Sequence, residues 1–440
     1  APSLDFEFFR SSVEPILLAR RSGNVRCVTC HAGGASSQLR LQPLTAGATS
    51  WTEEQSRQNF QTLQKFVTPG NPQGSRLLKH PLARAAGGDA FHGGGKHWMS
   101  QDDPEWRILE AWVRGDKAVK PLATHVRIIQ TNAAGDNTHV IDPATNAVVG
   151  IINDIEVPHG VTSAPDGSRL YISDESLETL DVVDARTLHV TQRIRLSGRP
   201  NNVAISKDGR RVYVGIARGS GALDVIDTVT LANVKSIPVK GAVHNVYVTP
   251  DGRWVISGSI GARTISIVDA VTETLTRTVE LSAGIRPMAF DTHPDGSTRN
   301  IYVQLSNFHG FAVVDFATGK ETARIEHPAI SGVDAHTDGL QGAPAHGLGV
   351  TPDGRSVWST SKVYGYAYVY SLPDLKEIGR VFVGQHPEWV TFTPDGRFVY
   401  VAAAGDNMVF VIDVKTLKEV ARIAVGQVPK RNATALLQSR

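Results

Sequence analysis

A short acidic turn recurs through most of this 440-residue chain, and its spacing limits the possible folds more than any other feature. It stands at Asp166-Gly167, Asp208-Gly209, Asp251-Gly252, Asp295-Gly296, Asp353-Gly354 and Asp395-Gly396, at intervals of 42, 43, 44, 58 and 42 residues. Each turn is followed by β-branched and aromatic residues, as in Leu170-Tyr171-Ile172, Val212-Tyr213-Val214 and Val399-Tyr400-Val401, which reads as a strand. Another such run usually closes in Asp, as in Val140-Ile141-Asp142, Val225-Ile226-Asp227 and Val411-Ile412-Asp413, and a further one passes through Val234–Val239. Four short strands in each unit of about 42 residues make the blade of a β-propeller.

That third-strand element occurs seven times, near Asp142, Asp184, Asp227, Asp269, Asp315, Ser371 and Asp413, whereas the Asp-Gly turn occurs six times. The chain ends supply the difference: His125–Ile129 completes a blade whose inner strand comes from Pro429–Leu437. A ring closed in this way leaves no open sheet edge. The expectation is a seven-bladed all-β propeller over residues 121–440. On these turns and strands the pattern resembles the YVTN family of propeller repeats over nearly all of 123–437, a resemblance that speaks for fold and little for function.

Ahead of the repeat stands Cys27-Val28-Thr29-Cys30-His31, the spacing at which a c-type haem is attached. Each thiol would add across one haem vinyl group to form a thioether, and His31 would bind iron from the proximal side. A zinc knuckle needs two further ligands at fixed spacing, and no second Cys pair exists, because these are the only cysteines. A redox dithiol needs no following His. Around the motif, Leu4–Leu18 partly follows helical spacing up to Arg20-Arg21-Ser22-Gly23, and Asp102-Asp103-Pro104-Glu105 opens a second helix with an apolar stripe from Trp106 to Val113. The expectation for residues 1–120 is therefore a small all-α haem domain. Val67–Leu78 and His92-Gly93-Gly94-Gly95-Lys96 resemble the cytochrome c modules fused to large exported bacterial proteins, over roughly residues 5–117.

His80, His92, His97 and Met99 are the nearby candidates for the sixth iron position. Met99 lies so close to the following helix that it has little slack to reach across the haem. His92 has more slack and precedes three glycines that let a loop follow the haem face. In the modules it resembles, this stretch stands where others carry a distal Met. His92 is the preferred reading and Met99 the alternative.

In propellers the loop entering each innermost strand opens on the face that usually carries a ligand. Seven residues before each turn Asp stand His159, Asn201, His244, Met288, His346 and Glu388, with Lys430 as the seventh by alignment. His386 and Arg286 lie two residues further back, and the long interval inserts Ser331–Gln341, with Asp334 and His336, on the same face. His159, His244, His346, His386 and Glu388 are the candidate catalytic residues, expected to converge under Asp334 and His336. A metal on His159, His244 and His346, copper by its liking for imidazole, is a further expectation. Because His after Pro is common in YVTN repeats, His159 and His346 also have a purely structural reading.

Haem is attached to such motifs outside the cytoplasm, and the start at Ala1-Pro2-Ser3 reads as the mature end of an exported, periplasmic protein. The formal net charge of +2 shows no basic run, which speaks against nucleic acid, and no apolar run spans a membrane. Two functions fit. One is an oxidoreductase that turns over a small molecule in the propeller and exchanges electrons through one covalent haem with an external electron-transfer protein. The other is an electron-transfer protein whose propeller is only a docking module.

Overall fold

A computed structural model describes residues 2–19, 21, 25–32, 38–45, 48, 50–117 and 123–438. The chain divides into two compact units, Ala1–Pro121 and Leu122–Arg440. The expected junction between residues 120 and 121 lies outside the described residues, as do Arg20, Ser22 and Gly23 of the expected helix stop. Among the described residues no helix is long and apolar enough to cross a membrane.

The first unit is built of short helices. Asp5 accepts the Phe8 N–H at 2.7 Å and starts a helix at Phe6–Phe8, which passes through a π-helical turn at Phe9–Val13 into Glu14–Leu18. Cys27–His31 forms a single helical turn. A reciprocal capping box between Thr52 and Gln55 opens Glu53–Gln64. The helix Pro104–Arg114 has the ends its sequence predicts: Asp103 accepts the Glu105 N–H at 2.9 Å, and Gly115 stops it with φ +96°. Phe9 packs on Phe60 and Trp112 with ring centroids 5.5 and 5.7 Å away. The Trp112 indole N–H donates to the Asp5 carbonyl at 2.9 Å, tying the last helix to the first.

The described residues of the second unit form seven four-stranded sheets, a seven-bladed propeller. Six sheets each use four consecutive strands. The seventh pairs Pro429–Gln438 with Thr124–Asn132, followed outward by Asn137–Asp142 and Ala147–Ile152. That ladder runs antiparallel from Thr124 opposite Gln438 to Asn132 opposite Pro429.

The repeat signals have local causes. In each Asp-Gly turn the glycine sits at positive φ, between +69° and +85°, where a side chain is strained. The Asp folds back on the backbone, as Asp208 does in accepting the Arg210 N–H at 3.0 Å. The Asp that ends the third strand caps the next turn in the same manner: Asp227 accepts the N–H groups of Val229 and Thr230 at 2.9 and 2.8 Å. Near the axis the inner strands approach so closely that a Cβ on Gly160 would stand 2.8 Å from the backbone of Asn202. Apolar side chains fill the spaces between blades. One such cluster joins Ile129, Val140 and Ala435 of the closing blade to Leu170, Ile172 and Val183 of the next.

Truncation after Val428 should remove the inner strand of the closing blade and expose Ile128 and Ile129, both fully buried in the native chain. The expected outcome is loss of the cooperative urea transition together with oligomers in light scattering. A truncated monomer that unfolds at the parent midpoint would contradict closure by the chain ends.

Candidate functional site

Two cavities bring the sequence candidates together, one in each unit. In the first unit, Cys30, His31, Phe66, Leu77, His80 and His92 are among the residues around a space of about 810 Å³. The His31 and His92 rings stand 6.4 Å apart between centroids with planes 19° from parallel. Each ring is fixed through Nδ1 by a backbone carbonyl, His31 by Leu39 at 3.0 Å and His92 by Gly95 at 2.5 Å. A carbonyl can only accept, so Nδ1 carries the proton in both rings. That tautomer leaves the Nε2 lone pair of each ring available to a ligand.

The other distal candidates are placed differently. Met99 is 70% exposed and does not line this space. His80 lines it, but its Nδ1 stands 2.9 Å from Asp89. His97 packs against the His92 ring at 5.6 Å without reaching the cavity wall. The alternative with Met99 therefore has no support from the placement of that side chain. Its short tether to the helix at Pro104 holds it on the surface. The Cys27 and Cys30 thiols are free, half-buried and exposed respectively.

In the propeller, His159, Asn201, His244, His346, Glu388 and Lys430 converge on a space of about 260 Å³. Each sits at or near the start of an innermost strand, so the ring symmetry brings them together. Met288, at the equivalent position, turns instead into the apolar packing with Ile256 and Val303. Glu388 is the electrostatic centre. Its Oε1 accepts from Lys362 Nζ at 2.8 Å and stands 3.1 Å from Lys430 Nζ, while Oε2 stands 2.9 Å from His346 Nδ1. The same Nδ1 donates to the Glu388 backbone carbonyl at 2.9 Å. Burial by itself would raise the Glu388 carboxyl, but the facing His346, Lys430 and Lys362 outweigh it and hold it well below the usual range.

The imidazoles are neutral. Burial pushes His346 down to about 4 against the pull of Glu388. Burial, seconded by the Arg431 guanidinium, takes His159 and His244 well below their ordinary value. His244 meets His346 edge to face at 5.8 Å.

Several expectations need correction. His386 does not line the space; it is half-buried at the rim, where a Cβ on Gly339 of the insertion would stand 3.4 Å from its ring. Asp334 and His336 are exposed and do not line the space. The insertion instead contributes Gln341 and Ala343, and Arg286 Nη2 donates to the Gln341 carbonyl at 2.7 Å. The expected copper site on His159, His244 and His346 is not assembled: the described residues hold no group of three or more His, Cys, Asp or Glu placed for a metal ion. The physical reason is charge. Lys362 and Lys430 already occupy Glu388, and Arg286 and Arg431 surround the imidazoles.

Glu175, Arg199 and Lys362 also line the cavity. A positional signal exists for each. Glu175 and Lys362 directly follow the second strands Arg169–Asp174 and Ser356–Ser361, and Arg199 directly precedes the inner strand Pro200–Ile205.

A family model described as "Lactonase, 7-bladed beta-propeller" matches residues 224–428. Among solved structures, the chain is similar to the periplasmic gluconolactonase of Pseudomonas aeruginosa, with 19% identity and a TM-score of 0.57 over 70% of this chain and 99% of that one. It is similar to Kuenenia stuttgartiensis hydrazine synthase at 21% identity and TM-score 0.57, over 67% and 96% of the two chains. Dihydro-heme d1 dehydrogenase NirN in complex with DHE matches at 16% identity and TM-score 0.50, over 81% of this chain and 90% of that one. That last share extends beyond the propeller unit alone. These likenesses establish the fold. A comparison with curated proteins finds no match.

Glu388→Gln should leave Lys362, only 2% exposed, and the neighbouring Lys430 without their shared carboxylate. We expect a loss of about 3 kcal/mol in urea unfolding, part of which returns in the double variant Glu388→Gln/Lys362→Met. Equal losses in the two variants would mean that the pair carries no coupling. His159 and His327, both buried, are held well below their ordinary value by burial first, with nearby cationic groups and His309 respectively adding to it. Their unfolded forms take up protons below about pH 6.5, where the native forms do not. The stability they contribute is complete above that pH and is lost as pH falls toward the depressed native values. Thermal scans between about pH 7 and pH 5 should show this slope, and His327→Phe should flatten it.

Proposed function

We propose that this chain is an exported c-type haem oxidoreductase, with one haem c in the first unit and a small-molecule chamber in the propeller. The observation that carries the reading is the pair His31 and His92, whose near-parallel rings have centroids 6.4 Å apart beside Cys30. Two metal–imidazole bonds of about 2 Å each, plus half a ring on either side, span about 6 Å. A lone ion needs three or four protein ligands, whereas a haem brings four nitrogens of its own and asks the protein for two. The cavity of about 810 Å³ lies in the range of cofactor pockets, and Phe66 and Leu77 give it apolar wall.

In this reading Cys27 and Cys30 form the thioethers, and His31 and His92 hold the iron. The carbonyls of Leu39 and Gly95 orient the two rings. When bound, the haem supplies one-electron chemistry. Cys27 and Cys30 would keep it on the protein, ligation by His31 and His92 would give it a lower potential than His/Met ligation, and it would exchange electrons with an external protein partner. The propeller binds the molecule that is oxidised or reduced. Its neutral His346, held by Glu388, is placed to accept a proton.

Cys27→Ala or Cys30→Ala should abolish two-thioether attachment, read as the pyridine haemochrome band position of the denatured protein. Release of all haem from the parent into acidified organic solvent would overturn the covalent assignment. His92→Ala should open the sixth position and shift the spectrum to high spin, while Met99→Ala leaves it low spin; the reverse pattern would give the iron to Met99.

The match to the lactonase model over 224–428 favours a second reading, hydrolysis of a small lactone in the propeller. Lactone opening with no change in the haem spectrum would support it. Reduction of the haem by the same chamber's substrate would support the first.

A further inference from the structure

We propose that the propeller cavity binds a small carboxylate- or phosphate-type anion, with Arg286 as its principal charged contact. The inference rests on the reading that this cavity is the small-molecule chamber, and it names the chemical class of the occupant. Four cations line the space, Arg199, Arg286, Lys362 and Lys430, against two carboxylates, Glu175 and Glu388. The pairings leave a surplus. Arg199 is bound to Glu175, and both lysines share Glu388. Arg286 donates to Ser306 Oγ at 2.9 Å and to the Gln341 carbonyl, and makes no ion pair among the described residues.

A second observation points the same way. Arg431 is 2% exposed, and its Nε and Nη1 have no hydrogen-bond partner. Its guanidinium stacks 3.9 Å over the Trp389 ring, and Nη2 donates to Asn201 Oδ1 at 3.0 Å. Asn201 is itself part of the cavity wall. Two sequestered guanidinium groups that make no direct ion pair among the described residues are expensive to hold in a low-dielectric interior. An anion in the cavity supplies the missing charge to both, since Coulomb attraction reaches Arg431 without contact. The neutral imidazoles of His159, His244 and His346 add donors and acceptors without cancelling the surplus.

Size narrows the class. A space of about 260 Å³ takes a molecule of a few carbons and excludes a macromolecule. Arg286, with its planar fork, suits the two oxygens of a carboxylate or phosphate.

The test is isothermal titration calorimetry on the full-length haem-bearing protein with malate, inorganic phosphate and uncharged erythritol. At least one anion should bind and erythritol should not, with affinity falling as salt rises. Tighter binding of malate assigns a carboxylate, and tighter binding of phosphate a phosphoryl group. Arg286→Gln should weaken the preferred anion by about tenfold or more, with circular dichroism and the haem spectrum unchanged, and Arg286→Lys should recover part of the loss. If Arg286→Gln fails to fold, the comparison of anions with erythritol on the parent decides. Absence of heat with both anions, equal binding of erythritol, or parent-like affinity in a folded Arg286→Gln would overturn the proposal. A colourless chain that still binds malate would remove the haem reading and leave this one. A haem-bearing chain that binds neither anion would do the opposite.

Discussion

The ladder between Thr124–Asn132 and Pro429–Gln438 is the contact on which the second unit depends. Six blades are local, each made from consecutive strands, so their formation asks little of the rest of the chain. The seventh joins residues about three hundred positions apart, and only then does the ring become rigid. Rigidity matters because the cavity has no local scaffold of its own. His159, His244, His346, Glu388 and Lys430 come from different blades, and the ring brings them onto one cavity. Side-chain bonds at the closing strand reinforce the point: Thr131 donates to both the His159 and the Arg431 carbonyls, across the closure and into the next blade.

Convergence has an electrostatic consequence. Inner-strand residues are separated from water by the blades around them, so every charge placed there must find a partner nearby. Glu388 meets this demand for Lys362 and Lys430 at once, and Glu175 does so for Arg199. Arg286 and Arg431 are left to backbone carbonyls, hydroxyls, an amide and an indole face. The field inside the ring is therefore positive, and it adds to the burial that chiefly keeps the imidazoles neutral.

The fold was legible because its signals are local and repeated. The Asp-Gly turns and the Asp that ends most third strands are backbone devices, with side-chain oxygens closing turns within three residues. The missing seventh turn pointed to the chain ends for the same reason. The site was legible by position but not by direction. Counting back from the turns found five wall residues, with Lys430 added by alignment, yet it placed Met288 with them, and that side chain faces a neighbouring blade. The insertion was the hardest to read. Its acids and His336 suggested a polar cover, but the segment is fixed by backbone bonds, such as His336 N–H to the Val363 carbonyl at 2.8 Å, and its charged side chains turn to solvent. Charge balance was also invisible in the repeat, because Glu175, Arg199 and Lys362 stand one residue outside a strand in only some of the blades.

The two cavities show why imidazoles alone do not define a metal site. His31 and His92 are held by backbone carbonyls, which fix the tautomer, in a space whose walls include Phe66 and Leu77. That setting leaves both Nε2 atoms unprotonated beside an apolar wall. His159, His244 and His346 are more numerous, but they stand among guanidinium and ammonium groups that repel a cation. The same positive field attracts an anion. Counting histidines alone would point to a metal in the propeller, whereas the charges around them disfavour a cation there and favour an anion.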